Sequence, residues 1–124
     1  MTNKDKNTLE HISMRCDRVS EDIARFGNSY EIFDNDHAFC DSVSMNLLQI
    51  GELTQSLSNE FKERTDHIPW KQIYDMRCRF AHGYGVMAKA EIWDTAINDV
   101  PVLKEFCERQ LEEFERKAPG ETEE

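Results

Sequence analysis

Between Arg77 and Tyr84 the chain reads Arg-Cys-Arg-Phe-Ala-His-Gly-Tyr, which brings a guanidinium, an imidazole and a phenol within eight residues. Arginine stays charged and offers phosphate oxygens a planar fork, while histidine, titrating near ~6.5, both accepts and donates a proton at neutral pH. Metal-free RNA cleavage needs a base for the 2′-hydroxyl proton, a cation for the crowded phosphorane and an acid for the leaving oxygen. Arg77 suits the cation and His82 the base or the acid, with Tyr84 adding a hydroxyl and Cys78, Arg79 and Gly83 in supporting positions. On an ideal helix Arg77 and His82 point ~140° apart, so convergence requires unwinding at Gly83 or a second subunit. A two-fold dimer would bring two His and two Arg to one cleft. The same residues also read as an ordinary helix ending, with His at the negative end of the dipole, Gly as the stop and Tyr folded back on the last turn.

The elements that must position these residues are helical. Leu9, Ile12, Cys16, Val19, Ile23 and Phe26 recur at spacings of three and four, with Asn7 or Thr8 as cap and Gly27-Asn28-Ser29 as stop. Val43, Leu47, Ile50, Thr54, Leu57 and Phe61 keep that rhythm from Asp36 to Arg64, which predicts the longest helix, about seven turns. Within it Glu52, directly after Gly51, is either buried and paired or turned to solvent. Pro69 opens a third helix, with Ile73, Met76, Phe80 and Ala81 as its buried stripe; Gly83 and Gly85 end it, putting His82 on the last turn. Trp93, Ile97, Val100, Leu103, Cys107, Leu111 and Phe114 form a fourth stripe that Pro101 must kink or divide. Trp70 and Trp93 are expected core anchors. No segment alternates with period two, so the fold class is all-α, an up-down bundle of four to five helices with a kinked C-terminal helix. Residues 1–117 are expected to form a single domain and 118–124 a disordered acidic tail.

Composition narrows the functions. Of 124 residues 39% are hydrophobic and 32% charged, enough for one core beneath charged helical faces. A net charge of −10 argues against coating nucleic acid by bulk electrostatics, yet Lys71 to Lys89 carries four bases against Asp75 alone, a local positive field around the motif. Cys16, Cys40, Cys78 and Cys107 form no CxxC pair and have no His at ligand spacing, so neither a metal site, a redox pair nor a cofactor is signalled; reduced, half-buried thiols are expected. The N-terminus lacks a signal-peptide pattern and no apolar run reaches membrane-spanning length, which points to a cytoplasmic protein without membrane contact.

Arg77, four residues, His82, Gly83 and Tyr84 reproduce the R-x4-H-x-Y signature of the HepT-like toxins, a branch of the HEPN-domain ribonucleases, and the chain resembles that family elsewhere. Leu9-Glu10-His11-Ile12, Ile50-Gly51-Glu52, Ile68-Pro69-Trp70, Met76-Arg77, and Ile92-Trp93 through Asn98-Asp99-Val100-Pro101 are similar to its pattern in the same order, a match over about residues 8–114. The resemblance implies a dimeric helical bundle of HEPN type in which Arg77 and His82 of both subunits line a metal-independent RNase site. It further implies a toxin-antitoxin system, in which a minimal nucleotidyltransferase antitoxin neutralises the toxin by attaching AMP to Tyr84. The added bulk and negative charge would repel the RNA backbone. Where the family usually has a polar residue after the motif Arg, most often Asn, this chain has Cys78. The alternative reading is therefore a catalytically inactive HEPN module that docks a nucleotidyltransferase or a nucleotide.

Overall fold

A computed structural model describes residues 1–81 and 88–117, except the side chains at positions 80 and 81. Every regular element among them is helical: α1 (Asn3–Phe26), α2 (Tyr30–Asn35), α3 (His37–Thr54), α4 (Asn59–Arg64), α5 (Trp70–Ala81), α6 (Lys89–Asp94), a π-helical turn (Thr95–Asp99) and α7 (Val100–Lys117). The all-α expectation holds for the described residues. Helix α1 packs between α3 and α7, and α3 in turn carries α5. Two contacts show that α1 and α3 run antiparallel, Arg15 to Asn46 and Asp22 to Ser42, and Asp5 continues the order by reaching Ser58 beyond the end of α3.

Helix α1 starts five residues earlier than Thr8. Its cap is Thr2, not Asn7 or Thr8: the Thr2 hydroxyl accepts from Asp5 N–H at 3.0 Å while the Asp5 carboxylate accepts from Thr2 N–H. Thr8 instead faces inward. Gly27 stops the helix as expected, with φ 124 and its N–H donating to the Ile23 carbonyl. That backbone angle favours glycine.

The second stripe is buried throughout, from Val43 to Phe61, but the helix beneath it is not continuous. After Thr54 the backbone tightens into i to i+3 bonds at Gln55, Ser56 and Leu57, and α4 begins afresh with Ser58 as its cap. The break has a physical cause. Asp5, 1% exposed, accepts from both the N–H and the hydroxyl of Ser58 at 2.8 Å, and the same hydroxyl accepts from Phe61 N–H. One buried carboxylate thereby ties the first turn of α1 to the first turn of α4. The longest helix is accordingly α1, of 24 residues, and α3 has 18. Helix α2, not anticipated, inserts Phe33 into the core between Phe39 and Trp93, at centroid distances of 5.2 and 5.1 Å.

Pro69 precedes α5 by one residue, and its carbonyl accepts from Ile73 N–H. Trp70 and Trp93 are core residues as expected; Trp70 packs on Phe61 and Phe106 and donates from its indole to Thr65 Oγ1 at 3.1 Å. Pro101 divides the last segment through the π-helical turn: Val100 N–H bonds the Thr95 carbonyl, and the wider turn absorbs the hydrogen bond that Pro101 cannot make. The extra residue rotates Ile97 out of its stripe, leaving it 36% exposed, and Ala96 takes its inward place. No helix of the described residues is long and apolar enough to cross a membrane.

The four cysteines are free. Cys16, Cys40 and Cys107 are buried, not half-buried as expected, and of the four Cys78 alone is partly exposed. Burial pushes the Cys16 thiol from its usual 9.0 up to about 12, with neighbouring Asp17 adding to the shift, and burial pushes Cys107 up likewise.

Three outcomes follow. Asp5→Ala strands the Ser58 cap and should cost about 2–4 kcal/mol in a urea titration. Because the folded thiols hold their protons more tightly than the unfolded ones, their contribution to stability is complete below pH 9 and declines toward about 12. Stability measured against pH should fall through that window, and a thiol reagent at pH 8 should label Cys78 while sparing Cys16 and Cys107 until the protein is unfolded.

Candidate active site

The site begins where α5 crosses α3. Residue 51 of α3 is glycine at the point of closest approach: a Cβ there would overlap the Arg77 Cβ and lie 3.2 Å from the Ile73 carbonyl oxygen. The missing side chain lets the α5 backbone settle against α3 and brings Arg77 beside the next residue, Glu52. The Glu52 Oε1 accepts from Arg77 Nε in an ion pair, with the two side chains 31% (Arg77) and 44% (Glu52) exposed. Glu52 is thus paired at a half-open surface, which resolves the choice between a buried pair and a free solvent-facing acid. Its hydrogen bond holds the guanidinium proton even more firmly than usual, so Arg77 is charged at any physiological pH.

Tyr74 and Cys78 stand three residues before and one after Arg77, on the adjoining strip of α5. Hydrogen bonding with Cys78 pushes the Tyr74 phenol above its usual 10.0. No oxygen of the described residues is bonded to either terminal nitrogen of Arg77. The arrangement presents a cation fixed through Nε, with no oxygen of the described residues competing for its outer edge.

Arg79 points to a different task. Its Nη2 meets Glu91 Oε1 at 2.8 Å, joining the end of α5 to the start of α6 across residues 82–87. Lys89 in turn donates to the Asp34 carbonyl at 2.8 Å and lies near its carboxylate, fastening α6 to α2. The positive field expected over Lys71 to Lys89 is therefore largely offset, since Glu52, Glu91 and Asp34 each face one of its bases. Among the described residues Lys71 is the base of that stretch with no acid against it.

Of the residues singled out by sequence, Arg77 and Cys78 share this strip and Arg79 serves the α5–α6 junction. His82, Gly83 and Tyr84 lie outside the described residues, as do Gly85 and the side chains of Phe80 and Ala81. Sequence reasoning left Glu52 undecided and passed over Tyr74. The available signals were a Gly-Glu pair inside an apolar helix and a tyrosine one helical turn before the motif arginine. An apolar cleft of about 270 Å³ opens beside the site between α3, α5 and α7, lined by Ile50, Ile73, Met76, Val100 and Leu103. Among the described residues no group of three or more His, Cys, Asp or Glu is placed to hold a metal ion.

A family model described as ribonuclease HepT-like matches residues 16–110, which include the whole α3–α5 crossing and the motif. The chain belongs to the HepT-like ribonuclease family. It is 33% identical over 109 residues to a candidate RNase of Caldanaerobacter subterraneus subsp. tengcongensis, covering 88% of this chain and 92% of that protein. It is 30% identical over 99 residues to a candidate RNase of Methanocaldococcus jannaschii, covering 78% and 85%. With the probable ribonuclease HepT of Thermococcus cleftensis it shares 32% identity over 93 residues, 68% of this chain and 84% of that protein. No solved structure matches the chain. Membership supports a ribonuclease whose substrate is RNA, and within this HepT-like chain Arg77 is the motif residue whose surroundings are described.

The crossing at residue 51 leads to a direct expectation. Gly51→Ala should force α3 and α5 apart and lower stability by about 1–3 kcal/mol, read as a reduced urea midpoint, whereas Glu52→Gln beside it should change stability by under about 1 kcal/mol.

Proposed function

We propose that this HepT-like chain is the toxin of a type II toxin-antitoxin system, a cytoplasmic, metal-independent endoribonuclease that works as a homodimer. The observation that carries the reading is the guanidinium of Arg77, held at Nε by Glu52 with no oxygen of the described residues on its terminal nitrogens, five residues before His82 in the family's R-x4-H-x-Y motif. In the reaction His82 of one subunit takes the proton of an RNA 2′-hydroxyl, and that oxygen attacks the adjacent phosphorus. The P–O5′ bond breaks as the 5′-oxygen receives a proton from His82 of the other subunit. Arg77 pairs with the non-bridging oxygens, where negative charge accumulates in the phosphorane. One subunit offers a single imidazole, so two protomers supply the base and the acid together.

Control falls to Tyr84. A minimal nucleotidyltransferase partner transfers AMP from ATP to the phenol oxygen, forming an aryl phosphodiester and releasing pyrophosphate. The charge added two residues from His82 opposes RNA binding. Residues 1–117 act in this scheme as one HEPN domain, and the expected acidic tail, 118–124, lies outside the described residues. A second reading, an inactive module that docks the nucleotidyltransferase or a nucleotide, draws on Cys78 at the usually polar position and on the offset of the local bases by Glu52, Glu91 and Asp34.

Purified protein incubated with tRNA or mRNA in EDTA should yield fragments, and His82→Ala should reduce cleavage by at least about 100-fold. Cleavage unchanged by His82→Ala contradicts the mechanism. Partner binding without any His82-dependent cleavage or toxicity selects the inactive module. Tyr84→Phe should cleave RNA and resist neutralisation; AMP incorporation equal to wild type would remove Tyr84 as the modified residue.

A further inference from the structure

The Glu52–Arg77 pair has no evident structural purpose. Both side chains lie near the surface, where water screens such pairs and leaves them little influence on stability. It is nevertheless built with care for position: Gly51 removes the one atom that would hold α5 away, and the carboxylate then meets Nε, the innermost nitrogen of the guanidinium. A carboxylate on Nε fixes the plane of the fork and leaves both terminal nitrogens for a second anion.

We propose that Glu52 is a positioning residue for RNA cleavage, aiming the Arg77 fork at the scissile phosphate; the inference rests on the ribonuclease reading given above. Its negative charge carries an opposing effect, because an acid beside the phosphate site weakens binding of RNA in the ground state. The two effects separate in the kinetics. Loss of aim lowers kcat, since the fork then meets the phosphorane in the wrong plane, while loss of charge lowers KM.

Reach and charge separate in the choice of variants. Glu52→Gln keeps the length and an oxygen acceptor without the charge, and Glu52→Asp keeps the charge without the length. Steady-state cleavage of a short RNA by the full-length protein should show kcat reduced about 10–100-fold in Glu52→Ala, with KM unchanged or lower. Glu52→Asp should resemble Glu52→Ala, and Glu52→Gln should recover most of the lost kcat. Circular-dichroism melts of the three variants should match wild type within a few degrees, and Glu52→Asp, which is expected to lose kcat although it keeps the charge, carries the test if Glu52→Ala unfolds.

A wild-type kcat in Glu52→Ala overturns the inference while leaving the ribonuclease reading intact. So does the reverse ranking, in which Glu52→Asp is active and Glu52→Gln is not, because charge without reach would then suffice. A wild-type protein with no His82-dependent cleavage overturns the ribonuclease reading first and this inference with it.

Discussion

Helix α5 lies close against α3 because residue 51 has no side chain, and the position of Arg77 follows from that contact. A single Cβ would collide with the arginine's own Cβ, so the two helices would have to separate. The crossing also places Glu52 within reach of the guanidinium, which makes the order Gly-Glu as important as either residue. What α3 supplies is a platform for one cation, rigid because its other faces are held by α1 and α2.

That platform depends on contacts at both ends of the bundle. At one, Asp5 locks α1 to the Ser58 cap and lets the chain turn from α3 into α4 without leaving buried polar groups unpaired. At the other, Phe33, Phe39 and Trp93 interlock through α2, α3 and α6 at edge-on and tilted angles. Arg79 then fastens α6 to α5, and Lys89 fastens it to α2. The electrostatic consequence is selective. Most described bases near the motif already have an acid or a carbonyl, so little unpaired positive charge is left there; under the proposed function this suits recognition of one phosphate instead of broad binding.

Much of the fold was legible because burial follows periodicity. The stripe from Val43 to Phe61 is buried at every position even though its helix breaks, and the two tryptophans sit where their apolar neighbours put them. The break itself was hidden, because its cause is a carboxylate 53 residues away from Ser58. Thr2 was missed as a cap for a related reason: its partner Asp5 extends a buried stripe with a charged residue, which a hydrophobic pattern does not count. Around Pro101 the sequence indicated an interruption, but a π-helical turn and a straight kink place different residues inward, and Ala96 replaced Ile97. At the site, Arg77 was evident from its spacing to His82. Glu52 was ambiguous because its partner lies on another helix, at a separation that no local pattern encodes.

The central claim is that Glu52 acts through Arg77 and through nothing else. A double-mutant cycle on the cleavage rate constant, with Glu52→Ala or Glu52→Asp combined with Arg77→Lys, tests this directly. The account predicts strong coupling: once Arg77 is replaced by a residue without the fork, removing Glu52 should lower kcat no further. Losses that simply add, with Glu52→Ala costing the Arg77→Lys protein as much as it costs the wild type, would contradict it.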